Sequence, residues 1–273
     1  MEYRNIAGVP DFTCIEFSEK QHKYCLIIPI INELDNIRKE LTRAKKTNVS
    51  DLVDIIICDG KSTDGSNEQT FLKDLDVNTL LIKDGAGKQG AQLRMGFYYA
   101  LKRGYQGVVT IDGNNKDSIE DVYKFIDKLN EGYDFVQGSR YIEGGKEINT
   151  PKYRHIAVKY IHSPIISFTA KEKFTDSTNN FRAYSKNYLT HKDVLPFREV
   201  FVTYELLAYL STRASQLKLK TCEIGVTREY PDDGRVPTKI SPFKGSLLLM
   251  KILINNMLGK YNPKEVWIWN VID

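Results

Sequence analysis

The sequence predicts an α/β fold: a mostly parallel central sheet flanked by helices. Three observations predict it. Apolar runs of strand length alternate with segments of helical spacing four times in succession between residues 24 and 137. The loops that leave those strands carry acidic, amide or glycine residues rather than apolar ones. The chain has 273 residues, 41% hydrophobic and 27% charged, which suits one large packed core and excludes disorder and fibrous repeats.

Taken in order, residues 1–21 show no clear period and read as an extension. Tyr24–Ile31 (YCLIIPII) is the first strand, and Leu34–Ala44 a helix with Leu34, Ile37 and Leu41 on one face. Leu52–Cys58 is the second strand. Asp59–Ser66 (DGKSTDGS) is a loop leading to a short helix. Asn78–Ile82 is a third strand, Gly85–Gly90 a glycine loop, and Ala91–Arg103 a helix. Gly107–Ile111 is the fourth strand. Ser118, with Asp121 three residues on, reads as a variant capping box for a helix with Ile119, Val122, Phe125, Ile126 and Leu129 on its apolar face. Tyr133–Gln137 is the fifth strand. Beyond Gly145, Asn180–Tyr184 and Leu219–Arg228 read as strands, and Tyr204–Arg213 as a helix. Pro231–Ser241 is a Gly/Pro loop. In Leu247–Leu258, nine of twelve residues are Leu, Ile or Met, so this tail is a buried helix, a homodimer face or an interfacial membrane helix with Trp267 and Trp269 as anchors.

In open parallel sheets ligands bind beyond the carboxyl ends of the strands. Those ends carry Asn32 and Glu33, Asp59, Asp84 and Lys88, Asp112 and Asn114, then Ser139 and Arg140, a polar rim along one edge. The 39 Lys+Arg against 35 Asp+Glu leave a net charge of +4, too mild to argue for nucleic acid but compatible with an anionic small substrate or membrane surface. The four widely spaced cysteines read as reduced packing residues of a cytoplasmic protein. No signal peptide stands at the start, and no run reaches the ~18 apolar residues that span a bilayer. The four histidines show no metal-binding spacing and receive no catalytic role.

Three glycine signals compete. Gly60-Lys61-Ser62 is not a phosphate-binding P-loop, because Ile55 stands where the upstream glycine belongs. Gly85-Ala86-Gly87-Lys88-Gln89-Gly90 has the form of a dinucleotide fingerprint with Asp112 22 positions on, so an NAD(P)- or flavin-dependent oxidoreductase is the alternative enzyme class. Gly138-Ser139-Arg140, with Gly144 and Gly145, delivers a guanidinium, the group best suited to phosphate, to the rim.

The segments CLIIPIINELDNI, IIICDGKSTDGS, VVTIDGNNKDSIED, VQGSRYIEGG and DSTNNFRAYSKNYL, in this order, resemble the family 2 glycosyltransferases over about residues 24–245. The similarity is greatest to the polyprenyl-phosphate (dolichol-phosphate mannose synthase-like) branch. The resemblance implies a Rossmann-like GT-A fold in a single domain. Residues 24–140 would be its nucleotide-sugar-binding half, 141–245 its acceptor half, and 246–273 a helical tail. It implies inverting transfer from a UDP- or GDP-linked sugar, with Mg²⁺ or Mn²⁺, to a polyprenyl phosphate or membrane-linked glycan, in a cytoplasmic or peripheral membrane protein. By the same resemblance Pro29, Asn32 and Glu33 contact the nucleoside, Asp59 reads the base, and Lys88 lies near the nucleotide. Asp112 opens a metal-binding D-x-D whose second member is Asn114, an uncharged ligand that should weaken metal affinity. Arg140 binds phosphate, Arg154 holds the acceptor phosphate, and Asp176, Asn180 and Arg182 match the acceptor segment, where Asn179-Asn180 replaces Ser-Gly. Lys239 matches the basic residue of a late G-x-S-K loop. If the acceptor is a hydroxyl it needs a base, for which Asp176 is the first candidate and Glu205 the second; a phosphate needs positioning only. A sugar-nucleotide-binding protein without turnover is the remaining class.

Overall fold

The computed structural model describes residues 1–232 and 242–263. Among these, nine strands form one sheet: β1 (Glu2–Tyr3), β2 (Phe12–Glu16), β3 (Tyr24–Ile30), β4 (Asp54–Asp59), β5 (Val77–Lys83), β6 (Gly107–Thr110), β7 (Phe135–Ser139), β9 (Arg182–Ser185) and β10 (Thr221–Gly225). β8 (Lys146–Ile148) and β11 (Thr227–Glu229) pair in a second, two-stranded sheet. The order in the large sheet is β1-β2-β5-β4-β3-β6-β9-β7-β10. β5, β4, β3 and β6 are mutually parallel, while β2 and β9 run against their neighbours. β3 is the innermost strand of the parallel set, and the direction of strand addition reverses beside it, which opens a crevice at its carboxyl end.

All seven residues of β3 and all six of β4 are buried, as a sheet covered on both faces requires. Alternation then divides their side chains between two apolar layers. Ile27, Ile56 and Cys58 pack under α3 (Gln89–Lys102) and α8 (Glu205–Gln216). Leu26, Ile28, Ile55 and Ile57 pack under α1 (Leu34–Lys46), α2 (Gln69–Asp74) and α4 (Val122–Asn130). A helical stretch crosses the second half: α5 (Lys152–Ala157), a π-helical turn (Val158–His162) and α6 (Ser163–Ala170). α7 (Lys186–Thr190) follows β9, and α9 (Pro242–Met257) packs on α6 and α8. The four cysteines are free.

The structure corrects three expectations. Residues 1–21 are not an appendage: β2 pairs antiparallel with β5, and its alternation buries Phe12 and Cys14. The strand expected over 219–228 is two strands. At Val226 the chain steps between sheets, its N–H donating to the Ser139 carbonyl (3.0 Å) while its own carbonyl accepts from Lys146 N (3.0 Å). Ser118 does not close a capping box. The helix opens with a 3₁₀ turn in which Asp121 N bonds the Ser118 carbonyl (2.8 Å); the Ser118 hydroxyl does pair with Asp121, donating to its carboxylate (2.5 Å), but accepts from Thr227 N (3.1 Å) rather than from a helix N–H.

Candidate active site

A cleft of about 530 Å³ opens at the carboxyl ends of β3, β4 and β6. Of the residues singled out in the sequence, Pro29, Glu33, Lys88, Asp112, Asn114, Arg154 and Asn180 line it. Asn32, which is exposed, and Asp59, which is buried, do not line it but tie its bordering loops together. The Asp59 carboxylate is buried and accepts from Lys61 N (3.0 Å), Ser62 N (3.0 Å) and Asn67 Nδ2 (3.0 Å). Asn32 N donates to the Ser62 hydroxyl (2.8 Å), and Asn32 Oδ1 accepts from Thr63 N (2.7 Å). Leu34 N donates to Asp64 and Glu33 N to Ser66, both at 2.9 Å. The aspartate-rich loop after β4 is therefore a folded platform. Asp59 shapes it, and the adjacent Gly60 is the platform residue that faces the cleft.

Asp112 sits just past β6 at the cleft centre, where Gln89 Nε2 donates to its Oδ1 (2.8 Å). A side chain at Gly113 would bring Cβ within 2.5 Å of Ile30 Cγ2, so the turn that follows Asp112 lies hard against β3. Asn114 Oδ1 is buried with no hydrogen-bond partner among the described residues. An uncommitted carbonyl oxygen beside a carboxylate fits a hard divalent cation. No third acidic, His or Cys ligand joins them among the described residues, so water and substrate oxygens would complete the shell.

Around Asp112 the cleft is basic. Lys83, Lys88, Lys116, Arg154 and Arg228 line it against only Glu33 and Asp112 among the described residues. Arg228, on β11, pairs with the buried Asp117 and stands 3.7 Å from Asp112 Oδ2. Burial, with Arg228 next to it, pushes the Lys116 ammonium down to about 8. Lys88 projects from the start of α3 with no side-chain partner among the described residues.

Besides Asn32 and Asp59, four sequence candidates among the described residues do not line the cleft. Arg140 and Asp176 are buried against one another: Arg140 Nε donates to Oδ2 (2.7 Å) and Nη2 to Oδ1 (3.1 Å). Asp176 accepts further from Thr178 N (3.2 Å) and Asn179 Nδ2 (3.0 Å). Burial alone would raise the Asp176 carboxyl; the Arg140 guanidinium outweighs it and holds the group below the usual range. A carboxylate saturated in this way is not a general base, and its partner guanidinium is committed to it. Arg182 bolts the 177–179 turn to α8 through Asn179 O (2.9 Å), Ser177 O (3.0 Å), Leu207 O and Ser211 Oγ (both 2.8 Å), so it braces the cleft wall with its donors taken by protein oxygens. Glu205 folds back on Thr203, accepting from its hydroxyl at 2.9 Å. Lys239 lies outside the described residues.

The dinucleotide reading of Gly85–Gly90 fails on geometry. A Cβ at Gly90 would lie 2.7 Å from Phe201 O and 2.8 Å from Thr203 O, and Lys88 N donates to Val202 O (3.0 Å). The backbone of residues 201–203 thus occupies the Gly90 face and takes the Lys88 N–H that a dinucleotide loop would offer to a pyrophosphate, and Asp112 is held by Gln89. Sequence reasoning missed Lys116, Arg228 and Gln89. Lys116 was legible as the residue two past Asn114, whereas nothing local marks Arg228 as a partner of Asp117.

Comparison with known proteins agrees with this geometry. The model of glycosyl transferase family 2 matches residues 25–195. Polyprenol monophosphomannose synthase of Mycolicibacterium smegmatis is 27% identical over 172 residues, 62% of this chain and 64% of that protein. Undecaprenyl-phosphate mannosyltransferase of Micrococcus luteus is 29% identical over 173 residues, covering 62% and 68%. The aligned part thus spans just under two thirds of the first relative. Among solved structures, glucosyl-3-phosphoglycerate synthase of Mycobacterium tuberculosis with phosphoglyceric acid gives a TM-score of 0.62 at 17% identity over 87% of this chain and 79% of that one. The same synthase with Mn²⁺, UDP and glucosyl-3-phosphoglycerate gives 0.59 at 13% identity over 89% and 86%. The fold is GT-A, and with the family model matched across most of its length the chain belongs to glycosyl transferase family 2.

Proposed function

We propose that the chain transfers a sugar from a UDP- or GDP-linked donor to a polyprenyl phosphate. The observation that carries this reading is the basic cleft around Asp112 at the switch point of the sheet. Residues 24–140 supply the donor half and 141–245 the acceptor half. Pro29, Glu33 and the platform after β4 take the nucleoside, while Lys88, Lys116 and Arg228 face the diphosphate. Asp112 and Asn114 would hold Mg²⁺ or Mn²⁺, which supplies Lewis-acid charge to the departing diphosphate when bound.

Attack on the anomeric carbon forms a new C–O bond as the bond to the diphosphate oxygen breaks, through an oxocarbenium-like state. The charge that develops falls on the leaving diphosphate, and fixed cations in a cleft commonly stabilise such charge by several kcal/mol. A phosphate acceptor is already anionic and needs only orientation, which Arg154 provides from α5. The carboxylates of the described cleft are Glu33 and Asp112 alone, and Glu33 accepts from Asn36 Nδ2 (2.7 Å). The scarcity of a free base favours the phosphate acceptor over a glycan hydroxyl.

The test is a thermal-shift panel of UDP-, GDP-, CDP- and dTDP-sugars with and without Mn²⁺, followed by transfer of labelled sugar to undecaprenyl phosphate. One donor should stabilise the protein and yield lipid-linked sugar. Donor binding with neither transfer nor slow donor hydrolysis would instead establish a binding protein without turnover.

A further inference from the structure

From Lys152 to Ala170 the α5–π–α6 stretch carries large side chains on its solvent side. Tyr153 is 60% exposed, Ile156 54%, Tyr160 65% and Phe168 74%, with Pro164 exposed between the last two. Spacings of three, four, four and four place these residues along one stripe. A repeated spacing of four drifts by about 40° per step on a straight α-helix. The wider π-helical turn at Val158–His162 takes up part of that drift. The opposite side of the stretch is the packed one, with Val158, Ser163, Ile166 and Ala170 buried. The stripe is therefore additional to what the fold needs.

α9 packs on α6 and, with Leu258 just past its end, presents a second set of exposed apolar residues: Leu247, Ile254 and Met257. Both helices border the cleft, α5 through Arg154 and α9 through Leu248. Their charges have one sign. Residues 151–171 contain Lys152, Arg154, Lys159 and Lys171 and no Asp or Glu; residues 243–263 likewise contain no acid. Lys152, Lys159, Lys171, Lys251 and Lys260 are exposed. Tyrosines and aliphatic side chains flanked by exposed lysines, with Lys159 Nζ 5.7 Å from the Tyr160 ring centre, suit the headgroup layer of an anionic bilayer, where ring and alkyl groups enter the acyl boundary and ammonium groups meet lipid phosphate.

We propose that the faces of α5–α6 and α9 form a docking surface for an anionic lipid bilayer, seating the cleft mouth at the headgroup level. The inference rests on the lipid-phosphate reading of the acceptor and adds its consequence: the acceptor phosphate reaches Arg154 while its hydrocarbon tail stays in the membrane.

The test is flotation of the full chain with vesicles of phosphatidylcholine, alone and mixed with phosphatidylglycerol. The protein should float with the mixed vesicles and be released by salt. Ile156→Ser, Tyr160→Ser and Phe168→Ser together should reduce the bound fraction on the order of tenfold without shifting the melting temperature, since these side chains are exposed. Lys159→Glu with Lys171→Glu should do the same through charge alone. Wild-type protein that stays unbound overturns the proposal, as do variants that float like wild type. A solution dimer dissociated by the triple serine variant, with no vesicle binding, assigns the face to a second copy of the chain and overturns it too. Vesicle binding without transfer to any lipid phosphate leaves the surface standing and removes the acceptor reading. Transfer to a short, water-soluble polyprenyl phosphate by a protein that never binds vesicles does the reverse.

Discussion

Replacing Asp176 by alanine separates two roles open to a buried acid in the loop before β9, catalytic base and structural ion-pair partner. In the structure its carboxylate is fully buried and receives donors from Arg140, Thr178 and Asn179. Removing it strands the Arg140 guanidinium in the interior. Breaking one side of a buried pair costs roughly 3–5 kcal/mol. At about 2–4 °C per kcal/mol for a domain of this order of size, the melting temperature should fall by roughly 6–20 °C. Calorimetry at neutral pH measures this directly. Replacing both partners, Arg140→Met with Asp176→Leu, should recover part of the loss, because no buried charge remains. The pH dependence has a defined sign. The folded carboxyl lies below its unfolded value, so its stabilisation is complete above about pH 4 and disappears as acid protonates it. Asp176→Ala should lack that acid-range component. A variant that melts like wild type yet has lost turnover would refute the structural assignment and restore Asp176 as a base.

Three further substitutions probe other parts of the site. Gly90→Ala forces a methyl to within 2.7 Å of Phe201 O and should destabilise by about 1–3 kcal/mol in urea titration; an unchanged midpoint would show that the 201–203 backbone yields. Asp112→Ala should lower transfer by about 10²–10³ with the melting temperature nearly unchanged, and retained activity would remove Asp112 from the reaction. Arg154→Ala should depress transfer to a lipid phosphate on the order of a hundredfold while leaving donor binding intact, measured by parallel kinetics and donor titration; equal losses in both would make Arg154 a donor contact.

The sheet was legible because buried parallel strands leave continuous apolar runs, as in LIIPI and IIIC, and because loops after them are marked by Asp and Gly. β2 escaped notice because five residues with one solvent-facing side give only two buried positions, Phe12 and Cys14. Within the site, position was easier to read than partnership. Asp59, Asp112, Arg140 and Asp176 all lie near the cleft end of the sheet, yet only Asp112 faces the cleft. A buried carboxylate bonded to backbone N–H groups and one left open for a ligand have the same sequence signature. Arg140 and Asp176 are 36 residues apart, and Asp117 and Arg228 are 111 apart, so each pairing depends on the folded topology.

The hydrogen bonds between Asn32, Ser62 and Thr63, with Asp59 and Asp64 capping the turns, have a consequence for how a nucleoside is received. Two neighbouring loops are already locked to each other before anything binds. A guest arriving there freezes few new torsions, so little of its contact energy is spent on ordering protein. The nucleoside site proposed here would accordingly work as a lock and key, and liganded and free forms should superpose across residues 31–34 and 59–67.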